Sequence, residues 1–391
     1  MTSGEAGDTP GLDPAIDRVP PGESLGEPRW GRRSPGRREA GFGNDRGGPT
    51  YAALDLGTNN CRLLVARPSG DGFRVVDAFS RIVRLGEGIS ASGRLSEAAI
   101  ERSLEALEVC RNKMRNRGVT RARLIATEAC RAAENGADFR ARVAEKLGLA
   151  LEVIDRETEA ALAATSCTPL IDPEAEGVVL FDIGGGSSEL VRLDRSPHCK
   201  RGPPLPQIRG WISLPLGVVT LAERHGGLNV TRDVYEAMVD EVAELIAPFA
   251  REHGAGLHGV HMLGTSGTVT TIAGVHLDLK RYDRNRIDGC WMAADEIDCV
   301  LDRLVAMSYD ERVASPCIGA DRADLVLAGC AILEAIRRAF PCPRLRVADR
   351  GLREGMLVQM MREDGAWSDS GSGVSGSGDG NTDGNGQAVL S

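Results

Sequence analysis

The chain has 391 residues, 42% of them hydrophobic and only 4% aromatic, which is enough for two ordinary domains with their own cores and excludes a small scaffold stapled by disulfides. Its formal net charge of -9 provides no broad basic surface, so DNA and RNA are excluded as expected partners and a polyanionic ligand has to be held by local groups. No apolar run approaches a membrane span, the N-terminus lacks a secretory layout, and the ten cysteines are scattered without a C-x-x-C pair; the expectation is a cytoplasmic protein with reduced thiols and no membrane association.

Residues 1–49 are rich in Gly, Pro, Arg and acidic residues and read as a disordered tail. The ordered part opens with Ala53-Leu54-Asp55-Leu56-Gly57, a turn Gly57-Thr58-Asn59-Asn60 and then Leu63-Leu64-Val65. An apolar strand with an Asp near its end, a small-residue turn and a second apolar strand make a β-hairpin pattern. Ser96 caps a helix that presents Ile100, Leu104, Leu107 and Met114 and is closed by Gly118, and a strand follows at Leu124-Ile125-Ala126. Glu157 and Glu159 stand in the acidic first turn of another helix, where the helix dipole alone accounts for both. At 169–176 Pro, Asp and Glu replace apolar periodicity, marking a boundary between a first domain at 50–170 and a second at 171–363.

The hairpin then recurs: Leu180-Phe181-Asp182-Ile183-Gly184, the turn Gly184-Gly185-Gly186-Ser187-Ser188 and Leu190-Val191 repeat the first copy, Asp for Asp. Thr231 starts a helix presenting Val234, Met238, Val242, Leu245 and Phe249. The strand His261-Met262-Leu263 leads through Gly264-Thr265-Ser266-Gly267-Thr268 into a helix at 269–274. A basic run, Lys280, Arg281, Arg284 and Arg286 with Tyr282 between, comes next, and the chain closes with a Gly/Ser-rich tail at 364–391. Alternating β-type and helical segments give an α/β protein.

Missing or short side chains in the two turns leave backbone N–H groups free to approach a phosphate. The hydroxyls of Thr58, Ser187 and Ser188 add donors, as does Asn59 beside Thr58. Asp55 and Asp182, each two residues before its turn, would sit beside bound phosphate, where a carboxylate is costly unless a cation lies between; Mg²⁺, which takes carboxylate and phosphate oxygens together, is the expected one. The segment Gly264, Thr265, Ser266 and Gly267 is a third anion site, at a helix N-terminus.

The first turn, the segment from Asp182 through Ser188 to Glu189, and the Gly264-Thr265-Ser266-Gly267-Thr268 segment together resemble the exopolyphosphatase and guanosine pentaphosphate phosphatase family over residues 50–362. The resemblance implies the actin, Hsp70 and sugar-kinase fold, with two ribonuclease-H-like domains flanking an active-site cleft. It also implies Mg²⁺-dependent hydrolysis of a terminal phosphoanhydride in inorganic polyphosphate or guanosine pentaphosphate, and it is compatible with a homodimer, although no residue of the sequence marks an interface. The family's catalytic glutamate falls on Glu159, which only the resemblance prefers over Glu157. Glu189 joins Asp182 around metal or water, Arg62 stands at the matching place of the first hairpin, and Arg131 in Thr127-Glu128-Ala129-Cys130-Arg131 matches a phosphate-contacting arginine.

Two departures stand out. Ala161 occupies a position where many members carry Arg, and the HD-type helical domain of the longer members does not follow residues 350–355, which leans away from very long polymers. Two other functions suit the same cleft. One is a guanosine-polyphosphate sensor with little turnover, against which the acidic set Glu159, Asp182 and Glu189 argues; the other, on fold alone, is a phosphotransferase.

Overall fold

A computed structural model describes residues 48–195 and 202–367; the tails expected at 1–49 and 364–391 lie outside the described residues except for 48–49 and 364–367. The first sheet is centred on β1 (Tyr51–Leu56). Successive side chains of a strand point to opposite faces, so Ala52, Leu54 and Leu56 enter one core and Tyr51 and Ala53 another. A strand covered on both faces needs no polar alternation, and Asp55 alone interrupts the apolar run. β2 (Asn60–Ser69) and β3 (Gly72–Ile82) extend β1 as an antiparallel meander, while β4 (Arg121–Ala126) and β5 (Glu152–Val153) add parallel strands, in the order β3-β2-β1-β4-β5. After the single turn α1 (Ile89–Ser92), α2 (Glu97–Asn116) is capped by Ser96, which accepts from the Ala99 N–H at 3.2 Å, and buries Ile100, Leu104, Leu107 and Met114. The short α3 (Glu128–Ala132) follows β4 directly, and α4 (Gly136–Leu147) packs on α2.

The helix α5 (Arg156–Cys167) and a 3₁₀ turn (Thr168–Leu170) lead into a second sheet that repeats the plan of the first. β6 (Gly177–Ile183), β7 (Ser188–Asp194) and β8 (Gln207–Leu214) form an antiparallel meander, and β9 (Val260–Thr265) lies parallel to β6 as β4 does to β1. β10 (Trp291–Ala293) and β11 (Arg344–Ala348) complete the order β10-β11-β9-β6-β7-β8. Around this sheet stand α6 (Val218–His225), α7 (Arg232–His253), α8 (Gly267–His276), α9 (Arg284–Ile287), α10 (Ala294–Ala306), α11 (Tyr309–Ala314) and α12 (Val326–Ala339). Thr231 caps α7 by accepting from the Val234 N–H at 3.3 Å, and Met238, Val242 and Phe249 are buried on its inner face.

The last helix, α13 (Leu352–Glu363), packs on β1 and β2 of the first sheet, while α5 packs on β7 and β8 of the second. The two helices also pack on each other, so one core runs from Tyr51, Ala53 and Leu64 through α5 and α13 to Val178, Leu180 and Val191. The stretch 169–176 therefore divides the sheets but not the helices that close them. Asp364, given to the tail by composition, accepts from Tyr51 Oη at 2.8 Å and pairs with Arg121. Among the described residues no helix is long and apolar enough to cross a membrane.

The crossing of α5 and α13 is close because of Gly355: a Cβ built there would stand 2.3 Å from the Leu162 carbonyl oxygen. Alanine is the better helix former, so Gly355→Ala in an isolated helix would stabilise by about 1 kcal/mol. Here the expected outcome is the reverse, a loss of about 1–3 kcal/mol in a denaturant or thermal melt, because two backbones must separate.

Candidate active site

Strand parity decides what faces the space between the sheets. Asp55 is in step with Tyr51 and Ala53, Arg62 with Leu64 and Ala66, Asp182 with Val178 and Leu180, and Glu189 with Val191 and Leu193; those apolar partners all belong to the shared core. Cross-strand register repeats the relation, with Asp55 opposite Arg62 and Asp182 opposite Glu189. All four line one cleft of about 1070 Å³, its mouth included, with both glycine-rich turns in its wall.

Both turns hold their carbonyls away from the cleft. In the first, the Gly57 N–H closes on the Asn60 carbonyl at 2.9 Å, the Asn59 carbonyl accepts from Val83 and Arg84 at 2.9 and 3.0 Å, and the Thr58 carbonyl accepts from Gly86 at 2.9 Å. In the second, the Gly184 N–H closes on the Ser187 carbonyl at 2.9 Å, while the carbonyls of Gly184 and Gly185 accept from Val218 and Val219 at the start of α6, at 3.0 and 2.8 Å. A trans peptide points its N–H opposite to its carbonyl, so the N–H groups of Gly185 and Gly186 are directed away from α6. Neither has a partner among the described residues, which leaves a pair of adjacent donors suited to an anion.

The turns also touch each other. A Cβ on Gly185 would lie 3.0 Å from Thr58 Cβ, and one on Gly186 would lie 2.6 Å from Thr58 Oγ1. Gly217, which the motif reading passed over, is held just as tightly: its Cβ would fall 2.5 Å from the Gly184 oxygen. The signal available in sequence was only a glycine next to an apolar helix start.

Glu159 reaches the cleft from α5, whose first turn is set by Asp155 accepting from the Thr158 N–H at 2.7 Å. The structure separates the two candidate glutamates, since Glu159 is 7% exposed and Glu157 lies on the solvent side. Arg131 does not line the cleft. Its Nε and Nη2 donate to Glu128 Oε2 at 2.9 and 2.5 Å, its Nη1 to the Ile154 carbonyl at 2.6 Å, and its Nη2 to Glu159 Oε2 at 3.1 Å, so it contacts the carboxylate rather than the phosphate space.

Four carboxyls in one buried space resist ionisation. Burial, then the charge of Asp55, pushes Asp182 up to about 6; burial, then Asp182, pushes Glu189 up to about 7. Burial raises Asp55 against the pull of Arg62 and Arg353. Burial and the neighbouring Glu189 hold Glu159 well above the usual carboxylate range, opposed by Arg131.

Four expected phosphate-binding residues are engaged elsewhere. Ser188 is fully buried and donates to the Leu216 carbonyl at 2.9 Å, because its position alternates with that of Glu189. Gly264 packs in β9, where a Cβ would meet the Phe181 ring at 2.5 Å, and the Thr265 hydroxyl is bonded to the Arg350 carbonyl. Thr265, Ser266 and Gly267 do line the cleft, but Ser266 Oγ donates to the Ile183 carbonyl at 2.6 Å. Of the basic run, Arg284 turns inward to Asp349 and Glu354, at 3.2 and 3.5 Å, and Lys280 pairs with Asp278 on the surface.

The residues that were missed are arginines. Arg322, Arg350 and Arg353 line the cleft with Arg62. Arg322 Nη1 donates to Thr271 Oγ1 at 3.1 Å, Arg350 pairs with Asp288 at 3.0 Å, and among the described residues the ion pair of Arg353 is with Glu354 at 3.9 Å. Arg353 carried a signal: it is a cation in the first turn of α13, where the helix dipole favours an anion.

The family model described as the Ppx/GppA phosphatase family matches residues 64–364. The chain belongs to that family. Its fold matches the crystal structure of the Aquifex aeolicus Ppx/GppA family member with a TM-score of 0.67 at 27% identity, over 81% of this chain and 98% of that one. A crystal structure titled exopolyphosphatase-like protein gives 0.72 at 29%, over 81% and 98%. An exopolyphosphatase from Cytophaga hutchinsonii shares the fold, with 0.72 at 22%, over 80% and 98%. The paired sheets and their cleft are thus the actin, Hsp70 and sugar-kinase architecture of this phosphatase family.

Two outcomes follow for the Ppx/GppA site. Gly217→Ala should abolish turnover while far-UV circular dichroism stays native, since the added methyl displaces the Gly184-Gly185 carbonyls. Asp182 and Glu189 ionise at higher pH in the folded chain than in the unfolded one, so between ordinary carboxylate values and about 7 the unfolded chain binds fewer protons and their contribution to stability falls as pH rises. Glu189→Gln should therefore gain on the wild type from pH 5 to pH 8 by on the order of 1–3 kcal/mol, read by melts in a chelator.

Proposed function

We propose that the protein is a Mg²⁺-dependent phosphoanhydride hydrolase that releases terminal orthophosphate from inorganic polyphosphate or guanosine pentaphosphate. The observation that carries this reading is a buried carboxylate, Glu159, facing a cleft whose walls supply unpartnered turn amides and four arginines. Names of structural relatives point the same way: one is titled exopolyphosphatase-like.

The donor set suits Mg²⁺ shared with the substrate. Asp55 Oδ1 is buried without a hydrogen-bond partner among the described residues, and Asp182 stands beside it at the matching place of the second hairpin. Among the described residues no three His, Cys, Asp or Glu side chains form a ready cage. A hard cation that takes one or two carboxylates and completes its shell with phosphate oxygens and water is what such a set accepts. Asp55 and Asp182 would hold it, with Glu189 opposite Asp182 adding negative charge beside it, and when bound it would neutralise phosphate oxygens next to these carboxylates.

The chain's own groups then divide the work. The N–H groups of Gly185 and Gly186 and the hydroxyls of Thr58 and Ser187 bind the terminal phosphoryl group. Arg62, Arg322, Arg350 and Arg353 balance the charge of the chain behind it. Glu159 accepts a proton from a water whose oxygen attacks the terminal phosphorus. The bond from that phosphorus to the bridging oxygen breaks, orthophosphate departs, and the shortened chain keeps the electron pair.

Phosphate release by the purified protein with Mg²⁺, from short polyphosphate, long polyphosphate and guanosine pentaphosphate, tests this reading. Glu159→Gln should lower kcat by about 10²–10⁴ with KM nearly unchanged. Binding without release from any of the three would leave a sensor; release that depends on an alcohol acceptor would leave a phosphotransferase.

A further inference from the structure

Behind Glu159 lies an ion network that the phosphate chemistry does not itself call for. Glu128 opens α3 immediately after the cleft residue Thr127 and is 8% exposed. Its Oε2 accepts from Nε and Nη2 of Arg131, at 2.9 and 2.5 Å, and its Oε1 accepts from Nη2 of Arg156 at 2.9 Å. Arg156 and Glu159 share the first turn of α5, so Glu128 grips the helix that presents the proposed base as well as the arginine beside it. On its other side, a Cβ placed on Gly186 would meet Glu128 Cγ at 3.2 Å, so the same side chain abuts the second phosphate turn.

An arginine left with a single carboxylate tends to close on it with two parallel N–H bonds, occupying both oxygens. Arg131 does not do this to Glu159. One nitrogen, Nη2, reaches one oxygen, Oε2, at 3.1 Å, because Glu128 holds Nε and the Ile154 carbonyl holds Nη1. The other oxygen of Glu159 is not engaged by Arg131.

We propose that Glu128 is a positioning residue for hydrolysis: by retaining Arg131 in a one-bond contact with Glu159, it keeps the second oxygen of Glu159 open to the attacking water. The inference rests on Glu159 acting as the base. Glu128 does not touch the substrate space, so its removal should slow turnover and leave substrate affinity alone.

The experiment compares wild type, Glu128→Ala, Glu128→Gln, Arg131→Ala and the Glu128→Ala/Arg131→Ala double variant in steady-state phosphate release with Mg²⁺ and polyphosphate. Each is normalised to its folded fraction, with Glu159→Gln as control. Glu128→Ala is expected to lose about tenfold or more in kcat with KM within about threefold. The double variant is expected to be no slower than Arg131→Ala alone, because an arginine that is absent cannot block Glu159. Glu128→Gln, which keeps one acceptor for Arg131, should fall between wild type and Glu128→Ala, and it carries the test if the alanine variant does not fold. A crystal structure of the variant should show Arg131 bonded to both oxygens of Glu159.

Wild-type kcat in Glu128→Ala, losses that multiply in the double variant, or an unmoved Arg131 would each overturn the inference while leaving the hydrolase in place. No phosphate release from the wild type would instead overturn the hydrolase reading, and this one with it.

Discussion

The structure is organised around a mutual repulsion. Asp55, Glu159, Asp182 and Glu189 are gathered in one cleft where each makes its neighbours harder to ionise. Desolvation of a carboxylate is costly unless compensated, and buried ionisable groups of like charge are where proteins hold function rather than stability. The surrounding architecture limits that cost. Two sheets and two crossing helices bury a continuous core beneath the cleft, and four arginines from three separate segments enter it from the sides. Arg131 beside Glu159 and Arg62 beside Asp55 offset only part of this repulsion, and a phosphate chain bringing its own cation is a ligand that meets both halves of this charge pattern.

The backbone supplies the rest of the site. A glycine turn is a binding surface only if something holds its carbonyls back, and here two different elements do so. The loop after β3 takes the carbonyls of Thr58 and Asn59, and the first two amides of α6 take those of Gly184 and Gly185. The amides of a helix start are unsatisfied by the helix itself, so α6 loses nothing by this and the turn gains a fixed orientation. Close approach then explains the glycines without appeal to unusual dihedral angles: Gly185, Gly186 and Gly217 each face another backbone or side chain within about 3 Å of where a Cβ would sit.

Much of this was legible in the sequence because a hairpin repeat carries its own geometry. Once Asp55 and Asp182 occupy matching places in twin strands, side-chain alternation puts both on the shared face, and Arg62 and Glu189 opposite them. The same rule, applied one residue further, removes Ser188 and Gly264 from the site; adjacency in a motif is not orientation. Glu157 and Glu159 could not be separated by composition, since the helix dipole favours both, and only packing shows which one is buried. Arg322, Arg350 and Arg353 come from the segment before α12 and from the start of α13, and nothing local in their segments links them to a hairpin far upstream.

The placement of the arginines also bears on how the two halves act together. Arg84, in the loop that holds the first turn, donates Nη1 to Asp324 at 2.9 Å and Nη2 to the Asp321 carbonyl at 3.2 Å, while the Gly88 N–H reaches Glu223 at 2.8 Å. Asp324 is two residues from Arg322 in the cleft. One loop therefore fixes the carbonyls of the first turn and grips the segment that carries an arginine from the second half. With Arg84 and Asp324 partly buried, this pair is screened less than a surface ion pair. Separating the sheets would break it and release the turn and the arginine together, so the geometry of the phosphate site and the closeness of the two halves are a single variable.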